Sequence, residues 1–191
     1  MELPTLLIKH LNGLPEGLAA HVKRVQIIAR DLAKVHGVDP DIAELTAAAH
    51  DVARHINPKR LLEEAEKLGL KINSVERYNP ILLHGAVGSA WLEADGSIEN
   101  REVLEGVRWH TTSHPDLSQV GQVVMLADKL DPVKAKKFPF QEDVRNAAFK
   151  DLKDGTLVFL EGVFKQQQDR KETFHPAAVD TRNSIILATY C

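Results

Sequence analysis

The sequence predicts an all-α fold, a bundle of helices around one core. Three observations predict it. Apolar residues recur at intervals of three and four over most of the chain. Gly, Pro, Asp and Asn stand where such stretches would start and stop. No run of alternating apolar and polar residues offers a strand, and the loops are short, so residues 1–191 read as one domain.

The elements follow in order. Residues 17–36 place Leu18, Val22, Val25, Ile28, Ala29 and Leu32 on one stripe, and Gly37 is a stop signal. Asp39 caps a second helix with Pro40 at its first position, where a missing N–H costs nothing. That helix runs through Ile42, Leu45, Ala48 and Ala49 to about Arg54. Pro58 opens a short helix to Leu68, which Gly69 ends. Asn79-Pro80 opens the next, through Leu83, Val87 and Trp91 to Asp95-Gly96. Residues 98–110 turn Val103, Leu104 and Val107 inward. A polar loop with Pro115 follows. Residues 118–130 form a strongly apolar helix ended by Pro132, and helices over 141–152, 156–168 and 176–189 complete the set.

The bulk properties narrow the function. A formal net charge of −3 leaves no basic footprint for a nucleic acid polymer or an anionic membrane surface. Any polyanionic substrate must be drawn in locally, by metals or by a few placed Arg and Lys side chains. The single cysteine, Cys191, can form neither an internal disulfide nor a CxxC zinc site. Met1-Glu2-Leu3-Pro4 lacks the pattern of a signal peptide, and no apolar run approaches the roughly 20 residues of a membrane helix. A cytoplasmic location is expected.

Chemistry concentrates in the histidines and aspartates. His50-Asp51 ends the alanine-rich stretch Ala47-Ala48-Ala49, which is small-sided and suited to burial. Two polar groups buried there must be paired or metal-bound, because burying them bare is costly. Asp128 lies within the apolar run Val123-Val124-Met125-Leu126-Ala127 and needs a strong partner for the same reason. His21 lies on the preceding amphipathic helix, His84 follows Ile81-Leu82-Leu83, and His110 ends a helix before Thr111-Thr112-Ser113. Four imidazoles and two carboxylates exceed one open four-coordinate site. They suit two metals sharing a carboxylate, in a ligand field fit for iron, manganese or zinc. His10 and His36 carry no such signal; His114 is a loop histidine, read as exposed and idle before it is read as a proton donor to a leaving group, and the same holds for His55 and His175.

The order His21, His50-Asp51, Asp128 on successive helices resembles the HD-domain superfamily of metal-dependent phosphohydrolases. His84 and His110 resemble its two-metal branch. Ala48-Ala49-His50-Asp51-Val52-Ala53-Arg54, Leu83-His84-Gly85-Ala86-Val87-Gly88, His110-Thr111-Thr112-Ser113, Ala127-Asp128-Lys129-Leu130-Asp131-Pro132 and His175-Pro176 with Arg182-Asn183 resemble the YqeK-type bacterial family. That family hydrolyses diadenosine tetraphosphate symmetrically.

The resemblance implies an HD-domain helical bundle, a nucleotide substrate and two divalent or mixed-valence transition metal ions, iron first, with manganese, zinc and cobalt as alternatives. It implies His21, His50, Asp51, His84, His110 and Asp128 as ligands, with Asp51 bridging. Asp51 and Arg54 are the expected catalytic pair. Arg24, Arg54, Thr111, Lys129, Lys134 and Arg182 are the expected substrate contacts, whereas Lys136 and Lys137 read as a solvated charge run. The sequence departs from the family at Arg54, where Lys is usual, at Asp131-Pro132 with Lys134, where Glu-Pro and Arg are usual, and at Ser113, often Gly. The alternatives are another nucleotide substrate (guanosine tetraphosphate, a deoxynucleotide or a cyclic dinucleotide) or a nucleotide-sensing module without turnover. A homodimer is left open.

Overall fold

The computed structural model describes residues 3–190, with side chains to residue 188; Cys191 lies outside them. Among the described residues eleven α-helices and two 3₁₀ turns follow one another, and no strand occurs. They are α1 (Thr5–Asn12), α2 (Glu16–Val35), α3 (Pro40–Ala49), α4 (Pro58–Lys67), α5 (Ser74–Tyr78), a 3₁₀ turn (Pro80–Leu83), α6 (His84–Ala94) and α7 (Arg101–Trp109). Then come α8 (Gln119–Lys129), a second 3₁₀ turn (Pro132–Lys134), α9 (Gln141–Ala148), α10 (Leu152–Arg170) and α11 (Pro176–Tyr190). None of these helices is long and apolar enough to cross a membrane.

Capping residues set the helix starts. The Asp39 carboxylate accepts the N–H groups of Asp41 and Ile42, ahead of Pro40. Ser118 caps α8 by accepting from Gly121 N–H. The expected helix over 141–152 stops at Ala148 instead, because Asp151 caps a new helix by accepting from Lys153 and Asp154. Residues 98–110 likewise start helical only at Arg101, behind the Asn100 cap. α1 and α5 were not legible as helices. α5 is five residues long and rests on a capping box between Asn73 and Glu76.

The most consequential difference is at the end of α3. The helix does not run on to Arg54 but stops at Ala49. The His50 ring donates from Nδ1 to the Ala47 carbonyl at 2.6 Å, and the chain continues in tight turns closed by Val52 N–H to Ala49 O and Arg54 N–H to Asp51 O.

That turn lies where three apolar clusters meet. Ala47 packs with Val25, Val124 and Phe159 from α2, α8 and α10. Ala48, Ala49 and Val52 pack with Leu7, Leu92 and Val107. Ala53 packs with Leu61, Leu83 and Val87. Each fully buried Leu or Val contributes roughly 1.5–3 kcal/mol, and these clusters hold the polar pair between them at the centre of the molecule. Gly85 keeps α6 close to α7: a Cβ there would lie 2.7 Å from the Arg108 carbonyl oxygen and 2.8 Å from that of Val107.

Candidate metal centre

His21, His50, Asp51, His84, His110 and Asp128 converge, all buried. Asp51 lies between two groups of imidazoles. Its Oδ1 is 3.1 Å from His84 Nε2 and 3.4 Å from His110 Nε2. Its Oδ2 is 3.4 Å from His50 Nε2 and 3.6 Å from His21 Nε2. Asp128 Oδ1 approaches His21 Nε2 at 3.0 Å and His50 Nε2 at 3.7 Å. Two overlapping triads result, His21-His50-Asp51 and Asp51-His84-His110, each with its ligand atoms within 4.8 Å of one another.

The outer nitrogens of the rings are already committed. His50, His84 and His110 each donate from Nδ1 to the carbonyl three residues before, at 2.6, 2.5 and 2.7 Å. Each histidine sits at a helix end or start, where that carbonyl is within reach of its own side chain. This bond commits Nδ1 as a donor and leaves Nε2 facing inward. His21 uses a carboxylate for the same purpose, with Nδ1 2.5 Å from Asp131 Oδ2. Asp131 also takes Arg24 on both oxygens, at 2.8 and 2.9 Å.

The inward nitrogens suit a cation. His84 Nε2 and His110 Nε2 are 3.0 Å apart, and with both protons at Nδ1 they present two lone pairs to each other. His50 Nε2 is buried without a hydrogen bond. Burial disfavours charge on His50, yet the Asp51 and Asp128 carboxylates outweigh it and raise its pKa to about 10. Burial lowers that of His110 to about 4, against the opposing pull of the Asp51 carboxylate. Burial also works against ionised Asp51 and Asp128, but His50 for the first, and Lys129 and Lys134 for the second, hold both well below the usual carboxylate range. The metal-free cluster therefore keeps a proton among carboxylates, where a divalent cation would replace it. Such a donor set of imidazoles and carboxylates binds divalent metal.

A cleft of about 580 Å³ opens over this cluster. Arg54, Thr111, Lys129 and Lys134 line it, as does Lys137, read from sequence as part of a solvated run. Thr111 Oγ1 lies 3.0 Å from His110 Nε2 and 3.2 Å from His84 Nε2. Buried Lys129 donates to Asp128 Oδ2 at 2.7 Å and lies over the Phe159 ring, and Lys134 pairs with Asp128 Oδ1. The other two expected contacts are engaged elsewhere: Arg24 with Asp131, and Arg182 with Glu161 at 2.6 Å. His114 stacks on Trp109, and His175 pairs at 3.3 Å with buried Glu76. Asp131 was missed as a positioning group, although it stands three residues after Asp128 beside an apolar run.

An all-α bundle with a cleft over a buried histidine–aspartate cluster is the architecture of a metal-dependent hydrolase. The HD domain family model matches residues 18–133, and the chain belongs to the HD-domain family. It is an HD-domain hydrolase. It is 30% identical over 174 residues to the symmetrical bis(5'-nucleosyl)-tetraphosphatase of Halalkalibacterium halodurans, covering 91% of each chain. The protein of that name from Bacillus subtilis is 26% identical over 176 residues, again covering 91% of each. A crystal structure from Clostridium acetobutylicum, described as an HD-superfamily hydrolase involved in NAD metabolism, superposes with a TM-score of 0.89 at 25% identity. The match covers 98% of this chain and 99% of that one.

Proposed function

We propose that the protein hydrolyses diadenosine tetraphosphate symmetrically into two ADP, at two divalent metals shared through Asp51. The observation that carries the two-metal reading is the division of the Asp51 carboxylate, with Oδ1 toward His84 and His110 and Oδ2 toward His21 and His50. His21, His50 and Asp128 would hold one ion, His84 and His110 the other, with iron the first expectation and manganese, zinc and cobalt as alternatives. Bound metals of this kind polarise a phosphoryl oxygen and acidify a water nucleophile.

The chain's own groups do the rest. Arg54 and Lys137 line the cleft, and with Lys134 they supply positive charge for a polyphosphate. Thr111 Oγ1, beside the two imidazoles, is placed to donate to a phosphate oxygen. The names of the relatives support the symmetrical substrate. The test is a nucleotide panel that includes diadenosine tetraphosphate, guanosine tetraphosphate, a deoxynucleotide and a cyclic dinucleotide, with product analysis. ADP as sole product from the first, and little turnover of the others, is expected. Preference for another member of the panel sinks the substrate assignment.

A further inference from the structure

Beyond the histidine–aspartate cluster the cleft runs along one face of α10. Phe159, Val163, Phe164, Gln167 and Arg170 all line it, spaced as successive turns of a helix present one face. At the inner end Lys129 Nζ, bonded to Asp128, lies 5.6 Å from the centre of the Phe159 ring. Gln167 is eight residues further on, about 12 Å along the helix axis. Its Oε1 is buried and has no hydrogen-bond partner. Tyr78, 79% exposed, lines the same cleft from α5.

A buried amide oxygen left unpaired costs free energy unless a ligand or a water completes it. Its surroundings restrict the ligand. Phe159, Val163 and Phe164 offer apolar and aromatic surface, suited to a flat ring. An amide presents an acceptor beside a donor. Adenine presents the complement, an exocyclic amino group beside a ring-nitrogen acceptor. The span along α10 is of the order that separates the outer phosphate of a nucleoside diphosphate from its base.

We propose that Gln167 reads an adenine base against the aromatic face of α10, its Oε1 accepting from the 6-amino group. The inference rests on the nucleotide reading above and adds the residue that selects the base.

The experiment measures equilibrium binding, so that it stands apart from turnover. Metal-loaded wild-type protein and Gln167→Met are each titrated with ADP and with purine riboside 5'-diphosphate, which lacks the 6-amino group. Wild type is expected to bind ADP roughly tenfold more tightly than the analogue. Gln167→Met is expected to bind both with the weaker affinity and to melt no lower than wild type, since the buried Oε1 has no hydrogen-bond partner to lose. Equal affinity of wild type for the two ligands overturns the inference, and so does discrimination that survives in Gln167→Met. Discrimination that disappears in the variant supports the adenine site even if diadenosine tetraphosphate is not turned over, an outcome that sinks the substrate assignment alone.

Discussion

His21 Nδ1 lies 2.5 Å from Asp131 Oδ2, and the same carboxylate is gripped on both oxygens by Arg24. The ring is thereby aimed with Nε2 toward Asp128 and Asp51. Burial opposes ionisation of Asp131, but Arg24 and then His21 lower its pKa to about 2, so it stays a carboxylate throughout the neutral range. Removing such an outer partner of a metal-binding histidine costs about 10–100-fold in metal affinity. Asp131→Asn is expected to lose affinity in that range by metal titration while keeping its helical circular dichroism. Asp131→Glu, which restores the family's usual residue, is expected to lose less.

Asp51 is expected to be the least replaceable ligand, because each of its oxygens serves a different triad. Asp51→Ala should lower metal content at both positions and reduce turnover by a factor on the order of 10³ or more. A variant that keeps its metals by elemental analysis and its full rate would place the chemistry elsewhere.

Metal binding and metal-free stability should respond to pH in opposite directions. The folded pKa of His50 is raised from 6.5 to about 10. The stability its proton supplies to the metal-free fold is thus complete below 6.5 and is lost as pH rises through about 10. A metal must displace that proton, so its affinity increases with pH over the same interval. Calorimetry in buffers of different ionisation enthalpy should register proton release on loading near neutral pH. No release would mean that His50 is neutral in the metal-free protein.

Ser113 has φ 63° and a buried hydroxyl with no hydrogen bond. The left-handed conformation costs an L-residue about 1–2 kcal/mol. Ser113→Gly is expected to stabilise the protein by about 1 kcal/mol, once the glycine's greater chain entropy is set against that gain. In a chain of this size that raises the melting temperature by about 2–4 °C.

Gly85→Ala is expected to do the reverse, because a Cβ would press on the carbonyls of Val107 and Arg108. A loss of about 1–3 kcal/mol follows from overpacking. Since Val107 O also anchors the His110 ring, metal affinity should fall as well. Thermal melts and metal titration on one preparation test both effects.

Much of this was legible in the chain. His50-Asp51 after three alanines and Asp128 inside an apolar run had to be buried and therefore partnered, and they meet in one cluster. His21 and Arg24 stand one turn apart on α2, and what joins them is Asp131, more than a hundred residues on. Pairings across such separations are set by packing and leave no local periodicity. Lys137 and Gln167 were hidden for the same reason: the approach of α10 to the segment after the second 3₁₀ turn, seen in the bond from Gln166 Nε2 to Lys137 O, brings them to the cleft. The stop of α3 at Ala49 depends on a side chain competing for a backbone carbonyl, which propensity alone does not reveal.

The most direct test of the two-metal account is reconstitution of metal-stripped protein with diadenosine tetraphosphate present. ADP should be the sole product, its rate should rise to a plateau at two equivalents of metal, and Asp51→Ala should show no such rise. Saturation at one equivalent, formation of ATP with AMP, or undiminished turnover in excess chelator would contradict it.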